Sequence, residues 1–334
     1  MCGGVVMNKI DYSVVIRTTG KAHEKYQSML SSIDALNIKP VEVIVVLPEG
    51  NELPKEQLGY EKYYFSPKGM VIQRMKGIEC CKTKYALICD DDVAFENDFV
   101  EKLYEPLAFG IASFSAAPLY SFLPPKGLNS MLCTIMGSAV PTVFHRKDRY
   151  VSILKTSGYS YNRHLDVQKK YYETQSIAWT CFFADVAAFK SLELEKECWL
   201  DAHGYSSLDD QTMFYKAWLM GYKTVVVSNA HYEHLDGKTS TRNNKSAVLY
   251  SMTFNRVVFW HRFIYSMQKT ILSKVESRIA FVYRMQWACL WDYISVLRRK
   301  MTVEDYKISC DGYKEGWKYI MSKEYKSLPD IKKI

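Results

Sequence analysis

Apolar runs that do not alternate with polar residues punctuate the first third of the chain, and apolar residues recur at helical spacing between them. "YSVVIR" (Tyr12–Arg17) enters a Thr18-Thr19-Gly20 turn, after which Met29, Leu30, Ile33 and Leu36 share one helical face. "VEVIVVL" follows and is stopped by Pro48-Glu49-Gly50. "KYYFS" leads to Gly69 and a helix predicted over 71–81. "YALIC" precedes a helix carrying Phe99, Val100, Leu103 and Leu107, and a further strand is predicted around 111–117. Strands without alternation are buried on both faces, so the pattern predicts an α/β fold, a mostly parallel sheet flanked by helices. Ligands of such sheets bind beyond the carboxyl ends of the strands.

Residues 118–175 are rich in Pro, Ser, Gly and Tyr and weakly periodic. Order returns with "IAWTCFFADVAAF" and then "GYSSLDDQTMFYKAWLMGYKTVVVS". There Ser207 and Asp210 have the spacing of a capping box, Met213, Phe214, Ala217 and Trp218 form one helical face, and Gly221 closes the helix before a strand. From Asn244 the pattern is helical throughout, with Trp260, Phe263, Ile264, Met267 and Ile271 on one face and Arg256, Arg262, Lys269 and Lys274 among them. Two parts are therefore expected, a body over 1–240 and a basic, aromatic-rich helical extension over 241–334.

Composition narrows the partners more than the fold. With 48% hydrophobic and 24% charged residues among 334, the chain has ample core. Nine cysteines without a C-x-x-C spacing argue for a reducing cytosol and against a zinc site or a disulfide framework. Met1–Asn8 lacks the pattern of a signal peptide. Two uncharged stretches, Pro106–Pro125 and Gly127–Phe144, approach the length of a membrane span, but their prolines and Ser or Asn residues predict strand and loop. Net charge is +8; residues from Lys238 onward hold 19 Lys+Arg against 8 Asp+Glu, leaving 25 against 28 before them. A basic tail on a mildly acidic body suggests a polyanionic surface as partner, nucleic acid or an anionic lipid leaflet.

The sharpest chemical signal is Asp90-Asp91-Asp92, three carboxylates at the end of an apolar strand. Adjacent carboxylates repel by about 1 kcal/mol per pair even in water, so the cluster implies a cation or strained ionisation. A solvated turn is the plain alternative, but the chain resumes at once with Val93-Ala94-Phe95. Mg²⁺ held by one or two carboxylates plus ligand phosphates fits, and Mn²⁺ suits the same oxygens while tolerating an imidazole. Asp209-Asp210 at a predicted helix start could serve the helix dipole alone. His231 and His234 follow the next strand, and singly each reads as structural. Together the three groups can converge on one rim.

"SVVIRTTGK", "KGMVIQRMKGIECCKTKYALICDDDVAFENDFVEKL" and "LDDQTMFYKAWLMGYKTVVVSNAHYEH" resemble family 2 glycosyltransferases, an inverting group with the GT-A fold. The likeness covers residues 10–115 and 175–237, in family order. It implies that Thr18 and Thr19 lie against the nucleoside, and that Arg74 stands near base and diphosphate. Asp90 would contact the ribose, with Asp91 oriented toward the sugar or holding the turn. Asp92 would bind Mn²⁺ or Mg²⁺, with His234 completing the metal site or touching the diphosphate. Asp210 would be the catalytic base, with Asp209 as first acid of the family's acidic pair. Glu49 stands where the family's Asp-Asp-Gly-Ser turn reads the base, and Arg17 where a proline is common.

The implied reaction moves a sugar from a nucleoside-diphosphate donor of UDP, GDP or dTDP type to a hydroxyl of a glycan or lipid-linked acceptor. "MTFNRVVFWHRF" is similar to a segment that follows the catalytic domain in bacterial polysaccharide transferases, which implies surface-polysaccharide assembly. The expected location is the cytoplasm, with the tail at the cytoplasmic face of a membrane, and no nucleic acid. The rivals are a haloacid-dehalogenase-like phosphatase, which wants Thr or Val where Ala94 stands and its motif on the first strand, and a non-catalytic binding module on the same fold.

Overall fold

The computed structural model describes residues 9–119, 126–162, 169–235 and 244–331. The predicted parallel half is present. β1 (Tyr12–Arg17), β2 (Glu42–Pro48), β3 (Lys62–Ser66) and β4 (Tyr85–Asp90) pair in parallel in the order β3-β2-β1-β4. The helices between them, α1 (Glu24–Ala35) and α2 (Met70–Cys80), match the helical spacing of the sequence. Register sets Arg17 beside Asp90, so both strands end on one rim.

Beyond β4 the sheet becomes mixed. After β5 (Val93–Phe95) and α3 (Phe99–Ala108) come β6 (Phe114–Ala116), α4 (Leu128–Ile135), β7 (Val151–Ile153), β8 (Ser160–Asn162) and β9 (Tyr171–Glu173). Then follow β10 (Cys181–Asp185), α5 (Val186–Ser191), α6 (Asp209–Met220), β11 (Thr224–Val227) and β12 (Tyr232–His234). β10 runs antiparallel between β4 and β6, β11 is parallel to β6, and β9 closes that edge antiparallel. β12 pairs with β5 in a separate ribbon that aligns His234 with Val93. The aspartate triplet thus ends a central strand, not the first one, which removes the topology a haloacid-dehalogenase site requires.

One core, with Met29, Leu30, Phe99 and Leu103, covers one face of the sheet; the other joins α2, α5 and α6 to the C-terminal helices. Those helices are α7 (Lys245–Phe259), a π-helical turn (Trp260–Tyr265), α8 (Ile271–Leu297), α9 (Val303–Tyr319) and α10 (Lys323–Lys326). The expected boundary at 240/241 lies within 236–243, outside the described residues. Close helix contact explains two glycines of α9. A Cβ on Gly312 would sit 2.1 Å from the Thr253 hydroxyl oxygen of α7, and one on Gly316 would sit 2.9 Å from Val257 Cβ. Trp260 stacks on Phe281 with ring centroids 4.3 Å apart.

Several sequence expectations change here. No capping box forms at α6. Leu208, at φ +67°, precedes Asp209, and the Ser207 hydroxyl is 3.0 Å from that of Ser251 on α7. The tail's apolar face does not continue through Met267 and Ile271, because Thr270 and Ser273 form a capping box that starts a new helix there. Met267 and Ile271 are therefore exposed, while Trp260, Phe263 and Ile264 are buried. Arg262 is not on a solvated face; with Lys216 it grips the fully buried Glu197 at 2.7–2.8 Å. Burial would raise the Glu197 pKa, but the two cations hold it below the ordinary value. Among the described residues no helix is long and apolar enough to cross a membrane, and none of their cysteines is in a disulfide.

Candidate active site

The carboxyl rim gathers most of the predicted side chains because three strand ends and one helix start meet there. α2 lies directly on β1 and β2. Gly77 permits this, since a Cβ there would fall 2.4 Å from Val15 Cγ1. That contact delivers Gln73 and Arg74, both buried, beneath the rim. Gln73 donates from Nε2 to the carbonyls of Thr18 (3.2 Å) and Val46 (3.1 Å), tying two strand ends together. The amino end of α2 is held from far along the chain, where the Asp201 carboxylate accepts the backbone N–H groups of Met70, Val71 and Ile72.

Arg74 is the centre of the site. It is fully buried, donates 2.7 Å to Asp90 Oδ1 and 3.1 Å to Asp209 Oδ2, and lies 4.3 Å over the Trp179 ring. Arg17 adds a second guanidinium to the same Asp90 oxygen, its Nη2 at 3.1 Å. Two acids far apart in sequence, Asp90 and Asp209, are thereby fixed by one cation. Asp91 turns the other way and accepts the Thr18 hydroxyl at 2.5 Å. Burial pushes its carboxyl up to about 6, with the Thr18 bond and the Arg17 charge opposing. Asp92 and His234 meet across the β5–β12 ribbon, Nε2 to Oδ1 at 3.3 Å. His231 stays on the exposed end of that ribbon.

Asp210 has a different environment from Asp209. Asp209 is buried within the Arg74 network, whereas Asp210 is partly exposed, with Oδ1 accepting the N–H of Gln211 at 2.5 Å. Burial raises the pKa of both; Arg74 chiefly opposes this at Asp209, and the Gln211 N–H and Arg256 at Asp210. The left-handed Leu208 just before the pair is a backbone state costly for a branched-chain residue. It is held by Asn255, fully buried on α7, which donates 2.8 Å to the Ser207 carbonyl.

Thr19 and Glu49 lie exposed on the rim. Asn51 links their two loops by donating to the Thr19 carbonyl at 2.9 Å. Gln73, Trp179, Asp201, Asn255 and Asn51 therefore belong to the site although no motif marks them. The signal for Gln73 was its place beside Arg74; the others act through contacts no spacing encodes. Among the described residues no group of three or more His, Cys, Asp or Glu is arranged to hold a metal. A cleft of about 390 Å³ lined by Tyr85, Ser113, Asp185 and Lys223 lies at the opposite ends of the central strands, remote from these acids.

Residues 32–191 match the family described as Glycosyl transferase family 2, a stretch that includes Glu49, Arg74 and the aspartate triplet. The fold resembles that of S. aureus TarS 1-349, at TM-score 0.51 and 12% identity over 92% of this chain and 81% of that one. It also resembles GalNAc-T7 in a structure with UDP, GalNAc and Mn²⁺, at TM-score 0.50 and 13% identity over 84% of this chain and 55% of that one. No curated protein matches the chain in sequence.

Proposed function

We propose, from the premise that this chain is a glycosyl transferase of family 2 with the GT-A fold, that it is an inverting enzyme using a nucleoside-diphosphate sugar and a divalent cation. The observation that carries the reading is the convergence of Arg74, Asp90 and Asp209 with the Asp92–His234 pair and the more open Asp210 on one rim. Thr18, Thr19 and Glu49 border the same rim and fit the nucleoside; Asp90, oriented by Arg17 and Arg74, fits the ribose. Asp91, whose carboxylate accepts the Thr18 hydroxyl, holds the turn.

One carboxylate and one imidazole are too few to bind a metal alone. They suit Mn²⁺ or Mg²⁺ that takes its remaining oxygens from a diphosphate. Such a cation, when bound by Asp92 and His234, would neutralise charge on the departing diphosphate. The GalNAc-T7 structure contains UDP and Mn²⁺, which supports a UDP-type donor and Mn²⁺ here. Asp210 is the base. It accepts the proton of the acceptor hydroxyl as that oxygen bonds to the anomeric carbon and the bond to the diphosphate breaks. A single displacement inverts that carbon.

The catalytic domain would span 1–240 and the helical extension 241–334, acting in surface-polysaccharide assembly on the cytoplasmic side of a membrane. Two variants test the chemistry. Calorimetric titration of UDP, GDP and dTDP with Mn²⁺ should give saturable binding that Asp92→Ala weakens at least about tenfold. Asp210→Asn should bind the same nucleotide normally and lose about 10²–10⁴-fold in transfer, the usual worth of a general base. Nucleotide binding without any transfer by the native chain would instead favour the non-catalytic module.

A further inference from the structure

Arg256 and Arg284 stand apart from the other guanidinium groups near the core. Arg17, Arg74, Arg149 and Arg262 each contact a carboxylate. Arg256, on α7, and Arg284, on α8, make no salt bridge among the described residues; they share the ring of Tyr159, with Cζ atoms 4.4 and 4.5 Å from its centroid. Cation–π contact of this kind is worth about 0.5–2 kcal/mol and does not neutralise charge. Arg256 Nη1 and Arg284 Nε are both buried donors without a hydrogen-bond partner. Each side chain is nevertheless partly exposed, so a solute can reach it.

The pair adjoins the proposed base. Gln211, next to Asp210, donates 2.9 Å to the carbonyl of Gly158, the residue before Tyr159. Asn255, next to Arg256, holds the Ser207 carbonyl at 2.8 Å. Arg17 and Arg74 are engaged by Asp90 and Asp209, so Arg256 and Arg284 are a second cationic group on the α7–α8 side of the acidic pair.

We infer that Arg256 and Arg284, aligned on Tyr159, form an anion subsite that takes a phosphate group of the acceptor and so presents its hydroxyl to Asp210. Guanidinium groups match phosphate oxygens in pairs, and the accessible part of these two partly exposed side chains, which no carboxylate engages, is what a phosphate would meet. The word acceptor rests on the transferase reading; the anion subsite does not, and binding alone tests it.

The experiment titrates inorganic phosphate and glycerol 3-phosphate into the full chain, with UDP and diamagnetic Mg²⁺ saturating, by ³¹P and ligand-detected NMR. Arg256→Met with Arg284→Met should weaken phosphate binding at least tenfold and change UDP affinity less than twofold, with circular dichroism unchanged. A phosphate that UDP displaces, equal binding by native and variant chains, or a parallel loss of UDP affinity would each overturn the subsite. Absence of UDP binding by the native chain would sink the donor reading and leave the phosphate titration interpretable. Vesicles of phosphatidylglycerol against phosphatidylcholine identify the source. If the double variant loses only glycerol 3-phosphate, the phosphate is water-soluble; if it also loses phosphatidylglycerol, a lipid headgroup supplies it.

Discussion

At the scale of single residues, the site works by giving similar acids unlike surroundings. Asp90 and Asp209 share Arg74, Asp91 answers to Thr18, and Asp210 keeps an open side. Arg74→Met would leave the buried Asp209 without its salt-bridge partner and Asp90 with Arg17 alone, and should cost about 3–5 kcal/mol in urea denaturation. The proposed base, Asp210, gives a second prediction. Burial raises the Asp210 pKa above the ordinary 3.8, and only the ionised form accepts a proton. Transfer should therefore rise with pH along an acid limb centred above 3.8, and Arg256→Met, which removes an opposing charge, should move that limb higher. Folding stability runs the other way. A carboxyl with a raised folded pKa holds its proton longer when folded, so stability falls as pH climbs from 3.8 through the raised value. Asp210→Asn should flatten that fall. Arg74, the triplet, Asp209 and Asp210 were legible because their residue types sit at strand or helix ends. Asp201 and Asn255 were not, because each acts on backbone groups of another element, about 130 and 48 residues away.

At the scale of elements, apolar runs and helical periods marked β1 to β4 and the helices between them closely, α2 within a residue at each end. Where the reading failed, a competing side-chain hydrogen bond had won. The apparent capping box at α6 lost its serine to Ser251, and the apolar stripe of the tail broke at a real capping box. The antiparallel insertion of β10 had no marker at all, since a strand buried on both faces reads the same in either direction. Packing of α9 on α7 depends on glycine. Gly312→Ala would drive a methyl into Thr253 and the Tyr250 carbonyl, and should cost about 1–3 kcal/mol as a shifted denaturation midpoint. Because Asn255 and Arg256 ride on α7, the same variant should also lower transfer.

At the scale of the whole molecule, the basic tail has two parts that one charge count cannot separate. Part of it is core: Arg262 closes on Glu197, and Trp260 and Phe281 stack inside. Part faces outward. Ile271, Leu272, Val275, Ile279, Tyr283, Leu290 and Leu297 lie on one arc of α8, and Ile271 is 84% exposed. The Tyr283 hydroxyl bonds to the Ile135 carbonyl, joining this arc to the exposed Leu128, Met131 and Leu132 of α4. An apolar arc this long, beside the exposed Lys269, Arg278 and Arg298, fits an anionic membrane surface. The chain should sediment with phosphatidylglycerol vesicles, less so at high salt, and Ile271→Ser with Ile279→Ser and Leu297→Ser should abolish this; equal sedimentation would remove the membrane from the account. The sequence by itself determined the parallel half of the sheet and the acids on its rim, because burial periodicity and strand ends are local properties. Only the tertiary structure decided which cation each acid meets, which arginines keep their charge open, and which face of the tail is core. Those depend on side chains that the fold brings together from distant parts of the chain.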